Sequence, residues 1–304
     1  MVAATLREIP LAIGAAIWVA IASARQAKLK PAAAAAVALF LGAGVNQFAG
    51  NTTFLFALGI LGLALTVPVT LGTIIVSGAI IGRAALGEPV TRLVMLAIVT
   101  LVGAISLLGW ATHIAQSQTS GVAAAVSPDA APATEESNAE PAPAVPIGKL
   151  LADGSPWRLP IGFAAVLIAG TSFASLGVCV RFASNLKTQT PVTMLIVGAT
   201  GATAITLVTL GVHGPGVFFD LAPGEWARGL AGGTCNLIAF FSITRAFQKV
   251  PVVFVNGINA SQVAMAMIAG VLIFGEPTSG PLLAGVALTV VGLLLMARAR
   301  AGGR

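Results

Sequence analysis

Apolar residues in this chain run in long continuous stretches, and nine of these approach or reach the length of a membrane crossing: 9–24, 32–58, 63–86, 90–111, 160–182, 190–212, 226–247, 252–274 and 280–297. About 20 apolar residues at 1.5 Å rise each cover the roughly 30 Å of bilayer hydrocarbon. Strict alternation of apolar and polar positions is missing, so the stretches predict helices and not the strands of a barrel. The first is the shortest and ends in Ala22-Ser23-Ala24, which resembles a signal-peptidase site. Its positive charges (Arg25, Lys28, Lys30) follow it rather than precede it, so it is read as a retained helix. Between the fourth and fifth stretches the pattern stops: 112–158 is Ala, Pro, Ser, Thr and acid, a composition that cannot build a core. The organisation expected is a first repeat over 1–111 with four helices, a disordered linker over 112–158, and a second repeat over 159–304 with five.

The two blocks share a mark. Leu86-Gly87-Glu88-Pro89 recurs as Phe274-Gly275-Glu276-Pro277, 188 positions later, each time with a glycine-studded apolar run before it and another after it. A period this long indicates an internal duplication rather than a solenoid. Aligning position 9 with position 190 leaves 160–182 unpartnered, so the missing counterpart would be a helix ahead of Met1.

Composition agrees with the membrane reading. Hydrophobic residues make up 57% of the 304 and charged residues 9%, against roughly 25% charged in a soluble domain. The net charge of +6 does not indicate nucleic-acid binding, because the basic residues are scattered through short turns without clustered aromatics. They set orientation instead. With Arg298, Arg300 and Arg304 cytoplasmic, 12 of the 16 Lys and Arg fall inside and 9 of the 10 acids outside. Arg7, Lys149, Arg158 and Arg228 are the four basic residues left outside, and Glu8 lies there with Arg7. The N-terminus and the 112–158 linker are then extracytoplasmic, and Trp110, Trp157 and Trp226 sit at the outer interface. The two Gly-Glu-Pro breaks face opposite sides, so the halves are expected to be inverted copies.

These features resemble the EamA-type branch of the drug/metabolite transporter superfamily. The residues that carry the resemblance are 72–88 and 260–276, each a glycine-rich helix running into Gly-Glu, with a glycine- and leucine-rich helix after it. The resemblance implies an all-α membrane protein, a polytopic helical bundle of two inverted repeats, here about nine transmembrane helices arranged 4 + 5. It also implies a bacterial inner-membrane transporter of small metabolites, with export favoured over import. The family has ten helices, so the chain looks as though it lacks the first, and its linker is longer than the family's.

Candidate chemistry is sparse. No ionisable residue is expected in mid-span, which argues against a buried carboxylate that exchanges protons for cationic drugs. What remains is amides: Asn46, Gln47 and Asn51 near the middle of the second stretch, Asn236 near the middle of the seventh, and Asn256, Asn259 and Gln262, spaced by three along the eighth. These seven are the candidate substrate-binding residues, because inverted-repeat transporters bind at the midplane. Amides and hydroxyls also act as glue between membrane helices, which is the competing reading. Pro68 and Pro251 mark helix starts or kinks. Two glycosylation sequons, at 51–53 and 259–261, lie within spans and are chance matches.

Other positions are read as structural. Gly87, Glu88, Pro89, Gly275, Glu276 and Pro277 are repeat markers, with the glutamates capping the helix that follows each. Gly78 and Gly82 let helices approach closely, and Trp18 packs. Arg245 could meet an anionic substrate, although snorkelling is its default role. His113 and His213 are isolated. Cys179 and Cys235 lie in apolar runs and suggest neither a disulfide nor a metal. No catalytic constellation, cofactor or metal site is expected, so the chain is read as a non-enzyme. The expected partners are a small neutral or zwitterionic substrate and the lipid bilayer, with no nucleic acid; a homodimer is allowed. The alternative function is a non-transporting membrane scaffold or sensor derived from a transporter.

Overall fold

The computed structural model describes residues 2–24, 31–126, 157–218, 221–274 and 278–302. Among these residues the protein is helical with no strand: α1 Val2–Ala24, α2 Ala33–Val45, a π-helical segment Asn46–Asn51, α3 Thr52–Leu61, α4 Leu63–Leu86, α5 Arg92–Val126, α6 Arg158–Asn185, α7 Thr190–His213, a 3-10 turn Pro215–Phe218, α8 Pro223–Lys249, α9 Val252–Ala260, α10 Gln262–Phe274 and α11 Gly280–Gly302. Nine candidate spans lie among the described residues, and their bounds follow the apolar stretches closely, Thr190–Val212 without change. This is an all-α membrane protein. Its described surface is apolar where a soluble protein's would be polar: Leu272, Ile273 and Met265 are 78%, 73% and 67% exposed.

Several local features depart from the hydropathy pattern. The first helix begins at Val2 rather than at position 9, because Thr5, Glu8, Leu11 and Ala15 form one buried helical stripe that hydropathy alone does not register. The 32–58 stretch is interrupted by the π segment, and the 252–274 stretch by a turn at Ser261. Helix α5 continues to Val126, well past position 111. Alanine, which favours helix most, recurs through that extension. Residues 127–156 of the expected linker lie outside the described residues, as do Gly275, Glu276 and Pro277.

The chain forms two compact units, each assembled from segments of both halves. The first comprises Met1–Thr52, Ile74–Val90 and Ile168–Asn259. Within it α1 packs between α7 and α8, and α2 packs on α7. Leu11, Ala15 and Met194 form one apolar cluster; Ala35, Leu39, Ala43, Val180, Phe247 and Val252 belong to another. Glycines set the close approaches, since a Cβ at Gly233 would lie 2.7 Å from the carbonyl oxygen of Arg7.

The second unit comprises Thr53–Thr73, Thr91–Leu167 and Ala260–Arg304. Helices α5 and α11 pack along each other, with α10 against both. At Gly285 and Gly292 the missing side chains make room for Leu108 and Leu101. Ala57, Leu61, Ala165 and Val166 form its other cluster. There the chain turns at Gly62, whose φ of 74° suits glycine, and the Thr66 hydroxyl donates to the carbonyl of Ala57 (3.2 Å).

Candidate functional site

The π segment lies midway along the crossing formed by α2 and α3. A π turn closes its hydrogen bonds one residue later than an α turn, and such single turns recur at functional sites. The side chains here take part in the turn. Asn51 donates from Nδ2 to Gln47 Oε1, and the Thr52 hydroxyl donates to the main-chain carbonyl of Gln47 (3.3 Å). Gly50 lets the segment lie close against Ser172 and Phe173 of α6. Gln47 is 4% exposed. The Asn46 Oδ1 atom is buried without a hydrogen-bond partner among the described residues, an exposed cost unless something donates to it.

Glu8 belongs to the same site, although the hydropathy pattern placed it outside the membrane. It is 7% exposed and falls within the span Thr5–Ala24. Its Oε2 lies 3.6 Å, and Gln47 Nε2 lies 2.7 Å, from the point where Gly201 would carry a Cβ. Gly201 is midway along α7, and Gln47 midway along its own crossing. From near the start of its own span the carboxyl thus reaches toward the middle of α7, so an ionisable group that the hydropathy pattern left outside is buried within a span. The physical reason is the helical stripe: position 8 shares a face with Thr5, whose hydroxyl bonds that of Thr209 on α7 (2.9 Å). Arg7 Nη2 donates to Glu8 Oε1 at 3.3 Å, and its side chain is 45% exposed.

The other candidate amides are dispersed. Asn236 on α8 is half-buried, and its side chain makes no hydrogen bond among the described residues. Asn256 on α9 is 4% exposed and donates from Nδ2 to the carbonyl of Ile74 on α4 (3.3 Å), above the flat side of Gly78. That bond is the inter-helix glue of the competing reading. Asn259 is half-buried, and Gln262, in the second unit, is exposed. Trp18 packs its edge against Phe241, with ring centroids 5.4 Å apart. The side chains of His113 and His213 lie outside the description.

Glu88 does not cap the helix that follows it. Thr91 does, accepting from the Val94 amide (3.3 Å). Glu88 reaches instead into the second half, where Oε2 accepts from the amide of Val252 at the start of α9 (2.8 Å) and Oε1 lies 3.3 Å from Arg181 Nε. Arg181 also donates from Nη1 to the carbonyl of Phe247 (2.7 Å). The Nε–Oε1 contact is an ion pair by distance but not an aligned hydrogen bond, since neither atom finds a hydrogen-bond partner. The start of α9 bears partial positive charge, which explains why a carboxylate settles there.

The second-half helices that build both sites also carry a family signature. The profile of the EamA-like transporter family matches residues 160–298. These residues belong to that family. A crystal structure of another protein superposes on this chain with a TM-score of 0.66, covering 97% of this chain and 88% of its own at 15% identity. That likeness concerns fold alone. No curated protein matches the chain. The matched family is one of transporters, and together with the nine candidate spans among the described residues it supports membrane transport as the coarse reading. Among the described residues no group of His, Cys, Asp or Glu could hold a metal.

Proposed function

We propose that the protein is a secondary transporter that carries a small zwitterionic metabolite across a bacterial inner membrane by alternating access, with export as its direction. One observation carries this reading: Glu8, Gln47 and the unpartnered Asn46 Oδ1 belong to one compact unit, around the π segment and the bare face of Gly201. A carboxylate and an amide oxygen are acceptors suited to a substrate ammonium, and the Gln47 amide nitrogen is a donor suited to a carboxylate. A buried carboxylate changes the balance between the neutral and zwitterionic substrates that sequence alone leaves open, because a charge at this depth costs about 2.5 kcal/mol or more unless paired. Asn51 holds Gln47 in place, and Asn236 and Asn259, of the same compact unit, are further members of the proposed substrate path. The two repeats are inverted, the linker and N-terminus are extracytoplasmic, and the C-terminus is cytoplasmic.

A flux assay in proteoliposomes with a panel of amino acids, amines and neutral polar metabolites tests the reading. Wild type is expected to move a zwitterion, Glu8→Gln to lose at least about tenfold of that flux, and Asn236→Ala to lose less. Folded protein with no flux for any substrate would instead favour a scaffold or sensor. Topology is checked separately with Thr134→Cys in a background free of Cys179 and Cys235. An impermeant thiol reagent should label it from outside intact cells, and labelling only after lysis would reverse the orientation.

A further inference from the structure

The first unit holds a polar cavity, of about 460 Å³, at the ends of three helices. Trp18 and Ala22 of α1 form one wall, residues 184–191 of the α6–α7 turn another, and Arg245 and Gln248 of α8 a third. No acidic side chain lines it, and among the described residues no carboxylate pairs with Lys187 or Arg245. The first turn of α7, a helix of 24 residues, opens onto the same space, with Thr190 and Pro191 in the wall. A helix start favours anions.

Two further observations make this a site and not merely a basic surface. Thr188, 6% exposed, lines the cavity, and its hydroxyl is buried with no hydrogen-bond partner among the described residues. A buried hydroxyl is normally satisfied, so this one is a donor awaiting an acceptor. Beside it, Thr190 Oγ1 accepts from Gln248 Nε2 (2.8 Å) and lies 3.5 Å from Arg245 Nη1, which leaves its own hydrogen to donate. Lys187 occupies the left-handed position that closes α6, at φ 59°. The amides of Lys187 and Thr188 bond the carbonyls of Ser184 (2.9 Å) and Ala183 (3.0 Å), the helix-ending arrangement in which glycine is the usual residue. A lysine there stands in the cavity wall despite the backbone's preference.

We infer that this cavity binds a phosphate-bearing anion at the membrane face. The donors are the Lys187 ammonium, the Arg245 guanidinium and the hydroxyls of Thr188 and Thr190. The same chemistry suits the phosphate of an anionic lipid headgroup, whose chains would leave past the apolar wall at Trp18 and Ala22, and a free phosphate. The inference stands apart from the transport reading and uses none of the residues around Gln47.

Thermal unfolding of the purified full chain in a neutral detergent tests it, with two ligand arms. One adds inorganic phosphate against chloride at matched ionic strength. The other adds phosphatidylglycerol against phosphatidylcholine. Wild type should be stabilised in at least one arm: by the lipid alone if the occupant is a headgroup, by inorganic phosphate if it is a soluble anion. Lys187→Gly should keep or raise the ligand-free midpoint, because glycine suits the left-handed turn, yet need about tenfold more ligand for the same shift, the loss of one charge-assisted contact. Thr188→Val should behave likewise. Lys249→Ala, which removes a charge from the same end of α8 without touching the cavity, should respond as wild type. Stabilisation in neither arm, an unaltered response in Lys187→Gly, or an equal loss in Lys249→Ala would overturn the inference.

Discussion

Glu8 and Glu88 are both largely buried glutamates with an arginine nitrogen 3.3 Å away, yet their surroundings differ in kind. Glu88 is used up by the fold: one oxygen takes the first amide of α9 and the other faces Arg181, which is itself anchored on the carbonyl of Phe247. Removing it would leave a charge and a helix end bare. Glu8 has only the half-exposed Arg7, its own chain neighbour, and its other oxygen lies by the bare face of Gly201, which Gln47 also approaches. A buried ion pair is a poor reason to expect stability, because desolvation offsets attraction. The comparison therefore turns on what each carboxylate holds in place. Glu88 joins the turn after α4 to the start of α9, whereas Glu8 joins nothing that its removal would leave unsatisfied except Arg7, which can reach water.

That difference can be broken or sharpened by substitution. The largest effect is expected for Glu88→Ala, which should cost about 3 kcal/mol of stability, read by denaturant unfolding in detergent. Adding Arg181→Met should recover part of the loss, and a Glu88→Ala protein as stable as wild type would end the contrast. Glu8→Gln should do the reverse, cutting flux about tenfold, or roughly 1.4 kcal/mol at the transition state, while the unfolding midpoint stays level or rises. A midpoint that fell as far as that of Glu88→Ala would make Glu8 structural as well. Gly201→Ala pushes on the tip of Gln47, a flexible group, and on little else. Its expected signature is a flux loss of roughly threefold with stability changed by less than about 1 kcal/mol; unchanged flux would remove the bare face of Gly201 from the site. The smallest effect is expected for Asn256→Val, which loses one inter-helix hydrogen bond worth about 0.6 kcal/mol and should leave substrate affinity within about twofold. A larger affinity loss would move Asn256 from glue to ligand.

Most of the fold was legible because membrane spans are written in hydropathy, a property of twenty-residue windows. The nine stretches and the nine spans among the described residues differ mainly at their ends. The site was legible only in part, because it depends on single residues. Asn46, Gln47 and Asn51 stood out as amides in an apolar run, and Gly78 as a close-packing glycine; the structure pairs Gln47 with Asn51, sets Gly78 against Asn256 and leaves Asn46 Oδ1 without a partner among the described residues. Glu8 was missed because it adjoins Arg7, and an adjacent opposite charge looks like the flank of a span. The signal that would have found it is the spacing Thr5, Glu8, Leu11, Ala15, visible only once the helix is allowed to start earlier. The role of Glu88 was misassigned for another reason: capping was sought next in sequence, while the partner lies 164 positions away.

The π segment has a consequence for how this crossing tolerates change in length. A π turn holds one residue more than an α turn, so in phase terms Asn46–Asn51 is an insertion that the helix has absorbed. One residue is worth about 100° of helical rotation, and the chain passes from its first compact unit to its second just beyond this turn, between Thr52 and Thr53. Deleting one residue from 46–51 should therefore restore a continuous α-helix and leave α3 in phase with α2, whereas the same deletion within α3 would turn every side chain beyond it by that angle. Only in the second case would the faces on either side of the deletion be out of step, as a screw cut with one thread too few no longer meets its nut.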